Sequence, residues 1–215
     1  MKVALEKFEN YLDSQITYRA RILLAFLTIP LFASFLAPLW NITMFAPQYP
    51  EGLSIDIYSY QIEGGHGGHD IQEINTLNHY IGMSPLDEVL LSDLNWIPFV
   101  FLFMAIIALR AAAIGNIRTL IDLAVINGFL SCLLMYRFIF HLYTLGHTLD
   151  PKAPMNVEPF LPAIFGTKQI ANFTVTSMPR LGSLCVLLGV GGVMAITFWH
   201  LYTGYKNSKT KKPSS

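Results

Sequence analysis

Four side chains between residues 66 and 83 carry the ligand chemistry of this sequence: His66, His69, His79 and Met83. His66 and His69 are separated by two glycines in the run Gly64-Gly-His-Gly-Gly-His69. A backbone this rich in glycine can wrap a small ion, and imidazole nitrogen suits both copper and zinc. His79 and Met83 are four positions apart, which on a helix sets them on one face, one above the other. Imidazole with a thioether is a soft pairing that favours Cu(I) over zinc or calcium. Met44 and His147 are possible additional ligands, with Met155 and Met178 on the same expected side. Cys132 and Cys185 both fall inside apolar runs and no CxxC is present, which removes the usual thiol-metal and redox readings. The plainer alternative is that the first pair decorates a flexible loop and the second packs in a small core.

These residues must be held by a chain with little soluble character. Its 215 residues are 53% hydrophobic and 13% charged, against about 25% charged in an ordinary soluble domain. Four segments are apolar for long enough to cross a bilayer, which takes ~20 residues. They are residues 22–43, 96–114, 120–143 and 181–202. The expected fold class is an all-α integral membrane protein, four transmembrane helices with a small extracytoplasmic cap made of two loops, 44–95 and 144–180. The first span is read as a retained anchor. A cleaved signal peptide is the alternative, because Ala33 to Ala37 offers small residues, although the preceding leader carries Glu6, Glu9 and Asp13.

Charge sets the orientation. The first loop holds eight acidic residues, Glu51, Asp56, Glu63, Asp70, Glu73, Asp87, Glu88 and Asp93, and no Lys or Arg. Lys2, Lys7, Arg19 and Arg21, then Arg110 and Arg118 about the turn 115–119, then Lys206 to Lys212 in the tail 203–215 all fall on the other side. The positive-inside rule places both termini in the cytoplasm and both loops on the outer side of the membrane. The leader, residues 1–21, has Leu5, Phe8, Leu12 and Ile16 at helical spacing and is expected to lie on the inner membrane surface.

Within the first loop, Leu53 to Ile62 alternates apolar and polar residues and predicts one strand. From Asp70, a candidate N-cap, Ile71, Ile74, Leu77, Asn78 and Ile81 predict a helix ended by Gly82 and Pro85. In the first span Pro30 and Pro38 predict a kink, and Trp40 an interfacial aromatic. The second loop has five prolines beside Phe160, Leu161, Ile164, Phe165, Phe173 and Val175, which predicts packing on the first loop or on a protein partner. Gly189, Gly191 and Gly192 predict close helix contact in the last span.

Other functions are weighed on the polar residues within spans. Asp122, Asn127 and Arg137 share the third, and intramembrane ionisable groups mark transport paths by default. The alternative puts Asp122 at the inner interface and lets Arg137 snorkel to the outer one. Haem is not expected, because His141 and His147 fall at the outer end of span three and His200 at the inner end of span four, at unmatched depths. No G-x-S-x-G, HExxH, P-loop or dinucleotide fingerprint is present, so no enzyme is expected. The basic tail reads as the inner flank of the last span, attracted to anionic lipid rather than to nucleic acid.

Three blocks stand apart from generic membrane sequence: Met44-Phe-Ala-Pro-Gln-Tyr-Pro-Glu-Gly-Leu53, Ile74-Asn-Thr-Leu-Asn-His-Tyr-Ile-Gly-Met83, and Asp150-Pro-Lys-Ala-Pro-Met-Asn-Val-Glu-Pro-Phe160 continuing to Gly166-Thr-Lys-Gln-Ile-Ala-Asn-Phe173. They resemble small multi-span proteins of bacterial gene clusters for nitrous oxide reductase and related copper-enzyme maturation. The resemblance covers the outer loops, leaves the spans unmatched, and does not include the Gly-His-Gly-Gly-His insert. It implies an accessory role in copper delivery or respiratory-enzyme assembly, with an enzyme partner engaged through the loops. The alternatives are a structural or quinone-side subunit of a respiratory complex, or a small transporter.

Overall fold

The computed structural model describes residues 6, 9–86, 92, 94–170 and 172–210, without the side chains of 205 and 207–210. Leu5 and Phe8 of the leader, the acidic residues Asp87, Glu88 and Asp93, and Lys211 and Lys212 lie outside the described residues. Two compact units result, one of residues 1–32, 101–131 and 185–215, the other of residues 33–100 and 132–184.

The first unit is helical. Helix α1 (Tyr18–Phe26) and the short α2 (Thr28–Ala33) are followed later in the chain by α4 (Ile97–Ile114), α5 (Ile117–His147) and α6 (Leu181–Thr210), of which the unit holds residues 101–114, 117–131 and 185–210. The break at Leu27 follows from Pro30, which has no N–H to offer the Phe26 carbonyl four residues back. Pro38 plays no part in a kink, because the helical segment has ended at Leu36. Four segments are long and apolar enough to cross a membrane: Tyr18–Leu36, Ile97–Ile114, Ile117–His147 and Leu181–Gly204. Only 17–33% of each apolar window is buried within the protein. Phe99, Val125, Phe129, Leu187 and Phe198 are all at least 65% exposed, an apolar surface that water does not tolerate but lipid does.

What this unit buries is small. Ala108, Ala111 and Ala112 of α4 meet Leu24, Leu120 and Leu123 in its core, the close approach that small residues allow between membrane helices. In the last span Gly189 faces Leu31 and Gly192 faces Leu27, whereas Gly191 faces open space. The leader is tied down by backbone bonds rather than merely resting on a surface: Ile16 N–H donates to Gly115 O at 2.8 Å, and Ile117 N–H to Ser14 O at 3.1 Å. Arg21 caps α4 by donating to the carbonyls of Ala112 and Ala113, where the helix dipole favours a cation. Asn127 is fully buried and, among the described residues, its side-chain amide has no hydrogen-bond partner.

The second unit overturns the all-α expectation, and the protein is mixed α/β. The two outer loops build a five-stranded antiparallel sheet from β1 (Trp40–Ala46), β2 (Tyr49–Ile57), β3 (Ile62–Gly64), β4 (Gly166–Ile170) and β5 (Phe173–Pro179), in the order β3-β2-β1-β5-β4. The single strand predicted over 53–62 is two strands, because Tyr58 to Gln61 turn the chain back and Tyr58 N–H donates to Gln61 O. Strand β1 was hidden in the tail of an apolar run and β5 behind a proline-rich stretch. Their pairing, Trp40 opposite Pro179 through Phe45 opposite Thr174, joins the first loop to the second. Burial along β2 alternates as a one-sided sheet requires, with Leu53, Ile55 and Ile57 buried and Ser54 and Asp56 less so.

Helix α3 (His69–Tyr80) buries Ile74 in the core that this sheet shares with Leu142 and Leu145 of α5. At 31 residues, α5 is about 46 Å long, more than the ~30 Å of a hydrocarbon core. Its last half, from Cys132, belongs to the sheet unit. Trp40 is thus a packing residue, its ring 5.0 Å from that of Phe138 and its indole N–H donating to Ser177 Oγ at 2.7 Å.

Tyr49 opens β2 and donates its hydroxyl hydrogen to Glu73 of α3. This bond to the carboxylate, then burial, then the Glu73 charge hold the Tyr49 phenol above its ordinary value. Because the folded value is the higher one, the bond contributes fully below about pH 10 and is lost as pH rises through the folded value. Glu73→Gln is expected to bring Tyr49 ionisation down toward the ordinary range in a phenolate absorbance titration referenced to Tyr49→Phe. An unchanged titration would mean that the bond does not form in solution.

Candidate functional site

His66 has φ +49°, the one positive value at a non-glycine among the described residues. Gly67 and Gly68 continue in the left-handed region at +69° and +96° before α3 begins. Left-handed backbone at a side-chain-bearing residue is uncommon and persists only where its surroundings hold it. The holder is Asp70, which is 2% exposed. One carboxylate oxygen accepts from Ser54 N–H of β2 at 2.8 Å, and the other lies 2.8 Å from His66 Nδ1. Asp70 is therefore not the N-cap that the spacing suggested. Gly68 occupies that position without a side-chain bond. The Asp70 carboxylate is turned instead onto β2 and His66, and Gly65 admits it, since a Cβ there would collide with the carboxylate and with Ser54 Oγ.

A carboxylate at Nδ1 makes that nitrogen the donor, so the Nε2 lone pair is left free to bind. The His66 side chain is 59% exposed, so Nε2 is open to an incoming ion. His69, three residues on, is exposed at the start of α3. The sequence marked both histidines and missed the carboxylate that orients one of them. The signal available was the i, i+4 spacing of His66 and Asp70.

The second predicted pair is only partly as expected. Helix α3 ends at Tyr80, and Met83 N–H turns back to donate to Asn78 O at 2.9 Å. His79 and Met83 consequently do not share a helical face. They do line one polar groove together with Ser84, Thr148, Asp150 and Lys152. Two backbone bonds close the wall of this groove, Asp150 N–H to Gly82 O at 2.8 Å and Met155 N–H to Tyr80 O at 3.0 Å. Met83 also lines an apolar cavity of ≈ 60 Å³ with Met44, Ile55, Ile74 and Leu142, so the thioethers of Met44 and Met83 border one space.

The two pairs stand at opposite ends of α3. His69 and His79 are separated by about 15 Å along its axis, so they cannot share one ion. His147, at the end of α5, is exposed, stacks on Tyr143 with centroids 3.8 Å apart, and directs Nδ1 to the Tyr143 carbonyl at 2.9 Å. Among the described residues no group of three or more His, Cys, Asp and Glu side chains converges. Arg137 Nη2 lies 3.3 Å from Nε2 of buried His141, in the half of α5 that belongs to the sheet unit. Asp122, by contrast, is exposed near the start of α5. Fifteen residues of helix separate it from Arg137, and the two do not form an intramembrane pair.

Comparison with protein-family models, with curated proteins and with solved structures gives no match. The class stated by the structure alone is therefore a protein with four helices long and apolar enough to cross a membrane and a five-stranded antiparallel sheet unit.

Proposed function

We propose that this chain is an accessory protein of a bacterial inner membrane that holds Cu(I) transiently on its outer face and passes it to a copper-dependent respiratory enzyme. The observation that carries this reading is the buried Asp70 carboxylate beside His66 Nδ1, which leaves Nε2 outward as a ligand. His69 supplies a second imidazole from the same glycine-rich turn, and His79, Met83 and Met44 offer a softer set at the other end of α3. Transfer proceeds by ligand exchange: the ion stays Cu(I), imidazole or thioether leaves as the acceptor's ligand arrives, and no electron moves. Both termini lie in the cytoplasm, supported by the excess of Lys and Arg in the leader, the turn and the tail.

The test is competition for Cu(I) between the purified protein and a chromophoric chelator. Wild type is expected to compete, and His66→Ala/His69→Ala to weaken binding by at least about 100-fold, more than losing a group that only orients a ligand usually costs. His79→Ala/Met83→Ala is expected to leave that site intact and remove any weaker second equivalent. A wild type that cannot compete at all would overturn copper handling. A second reading is favoured by Phe165 and Met155, apolar residues of the second outer loop that are 68% and 48% exposed. In it the chain is a structural subunit docked to a respiratory complex through this loop, and large subunits co-purify in stoichiometric amount.

A further inference from the structure

The hairpin of α4 and α5 carries a cleft lined by Ile107, Arg110, Ala111, Thr119, Asp122, Val125 and Ile126, all within the helical unit. Arg110 lies four residues before the end of α4 and Asp122 five residues after the start of α5, so each charge is about 6–8 Å from the hairpin end. They stand at one level, facing one cleft, and among the described residues no ion pair joins them. The neighbouring cations are otherwise engaged. Arg21 caps α4, and Arg118 pairs with Asp13 at 3.2 Å.

Polarity is graded along the cleft. Thr119, Arg110 and Asp122 are nearest the hairpin end, and Ile107, Val125 and Ile126 lie deeper. One helical turn beyond Ile107 and Val125 come Phe103 and Phe129, 50% and 67% exposed. A separated cation and anion at the edge of an apolar track match a lipid whose head carries both signs and whose tails follow directly.

We propose that this cleft binds the head of a zwitterionic aminophospholipid, phosphate against Arg110 and primary ammonium against Asp122, with an acyl chain along Phe103 and Phe129. Arginine suits phosphate by its planar fork of donors. Asp122 accepts from an ammonium, which has three N–H donors, and gains no hydrogen bond from a choline head, which has none. A head with net negative charge meets the Asp122 carboxylate without a compensating cation. The inference is independent of copper, and rests on α4 and α5 crossing a bilayer.

The experiment is native mass spectrometry of the full, delipidated chain titrated with phosphatidylethanolamine, phosphatidylglycerol or phosphatidylcholine of identical acyl chains. Phosphatidylethanolamine is expected to bind about ten-fold more tightly than phosphatidylcholine, the worth of one charge-assisted hydrogen bond. Asp122→Asn is expected to erase that preference, and Arg110→Gln to weaken all three lipids, with Arg110→Lys restoring part of the loss. Both positions are exposed, and near-UV circular dichroism establishes that the variants keep the wild-type fold. Equal retention of the three lipids by wild type overturns the proposal, as does a preference for phosphatidylglycerol or one that survives in Asp122→Asn. Cu(I) competition on the same samples is expected to be unchanged, so failure here is distinct from failure of the copper reading.

Discussion

Gly146→Ala is expected to lower the stability of the sheet unit by about 3 kcal/mol, at the upper end of overpacking costs. Gly146 lies in the last turns of α5, where alanine would ordinarily be the better helix former by about 1 kcal/mol. Packing reverses the sign. A Cβ at this position would run into the carbonyl oxygen of Phe160, with the carbonyl carbon at 2.9 Å and Pro162 Cδ at 3.0 Å. The obstacle is backbone, so no rotamer change relieves it. The same residue is held in place by its N–H, which donates to Gly146 O at 3.0 Å. Phe160, Pro162 and Ala163 line the apolar cavity with Leu142 and Leu145, and pushing the segment away opens that core to water. The measurement is a thermal melt followed by near-UV circular dichroism, to which Trp40 packed against Phe138 contributes. A fall of roughly 6–12 °C corresponds to this loss in a chain of this size. Gly191→Ala is the control: a Cβ there meets nothing within 4 Å, and the midpoint is expected to hold or rise slightly. Equal midpoints for both variants would show that the second loop does not dock on α5 as described.

Asp70 carries the second large effect, and two substitutions separate its roles. Asp70→Ala removes the acceptor of the half-buried Ser54 N–H and the partner of His66 together. The expected cost is about 2 kcal/mol, because hydrogen bonds to charged groups are the strong ones. Asp70→Asn keeps an oxygen for Ser54 and costs less stability. Its amide presents N–H to His66 Nδ1, which makes that nitrogen an acceptor and puts the proton on Nε2, the atom proposed to bind the ion. Cu(I) affinity is then expected to fall about 10–100-fold with the fold preserved. Nitrogen chemical shifts of the His66 ring report the tautomer directly. An Asp70→Asn protein with the inverted tautomer and undiminished affinity would remove His66 from the site.

Local chemistry was legible at several of these residues. Helix α3 was visible in Ile71, Ile74, Leu77 and Asn78, and the break in the first span in Pro30. Leu53, Ile55 and Ile57 announced a half-buried strand, though not that it starts at Tyr49 or turns after Ile57. The partners of that strand were not legible. Trp40–Ala46 continues an apolar run and reads as the end of a span, and Phe173–Pro179 sits beyond four prolines in a loop. Both contain β-branched and aromatic residues suited to a strand, but nothing local names the segment each pairs with. Each is stabilised by the other across about 130 residues of chain, through pairings such as Ile42 with Ser177, and period-two patterning does not identify a partner.

The candidate site divides in the same way. His66, His69, His79 and Met83 were conspicuous because ligand chemistry resides in residue type. Asp70 reads as a cap because an aspartate at a helix start usually serves the helix, and only the approach of β2 shows its carboxylate reaching Ser54. The four-residue spacing puts Met83 on a helical face with His79, and the helix ends at Tyr80 before reaching it.

By itself the sequence determined that four segments are too apolar for water and which side chains could ligate a soft metal, since burial preference and donor atoms belong to each residue. Tertiary structure alone decided that two distant loops share one sheet, that a buried carboxylate sets the donor atom of His66, and that the two ligand pairs lie too far apart to share an ion. Those outcomes depend on hydrogen bonds and close approaches between segments remote in the chain, whose free energy exists only once the segments meet.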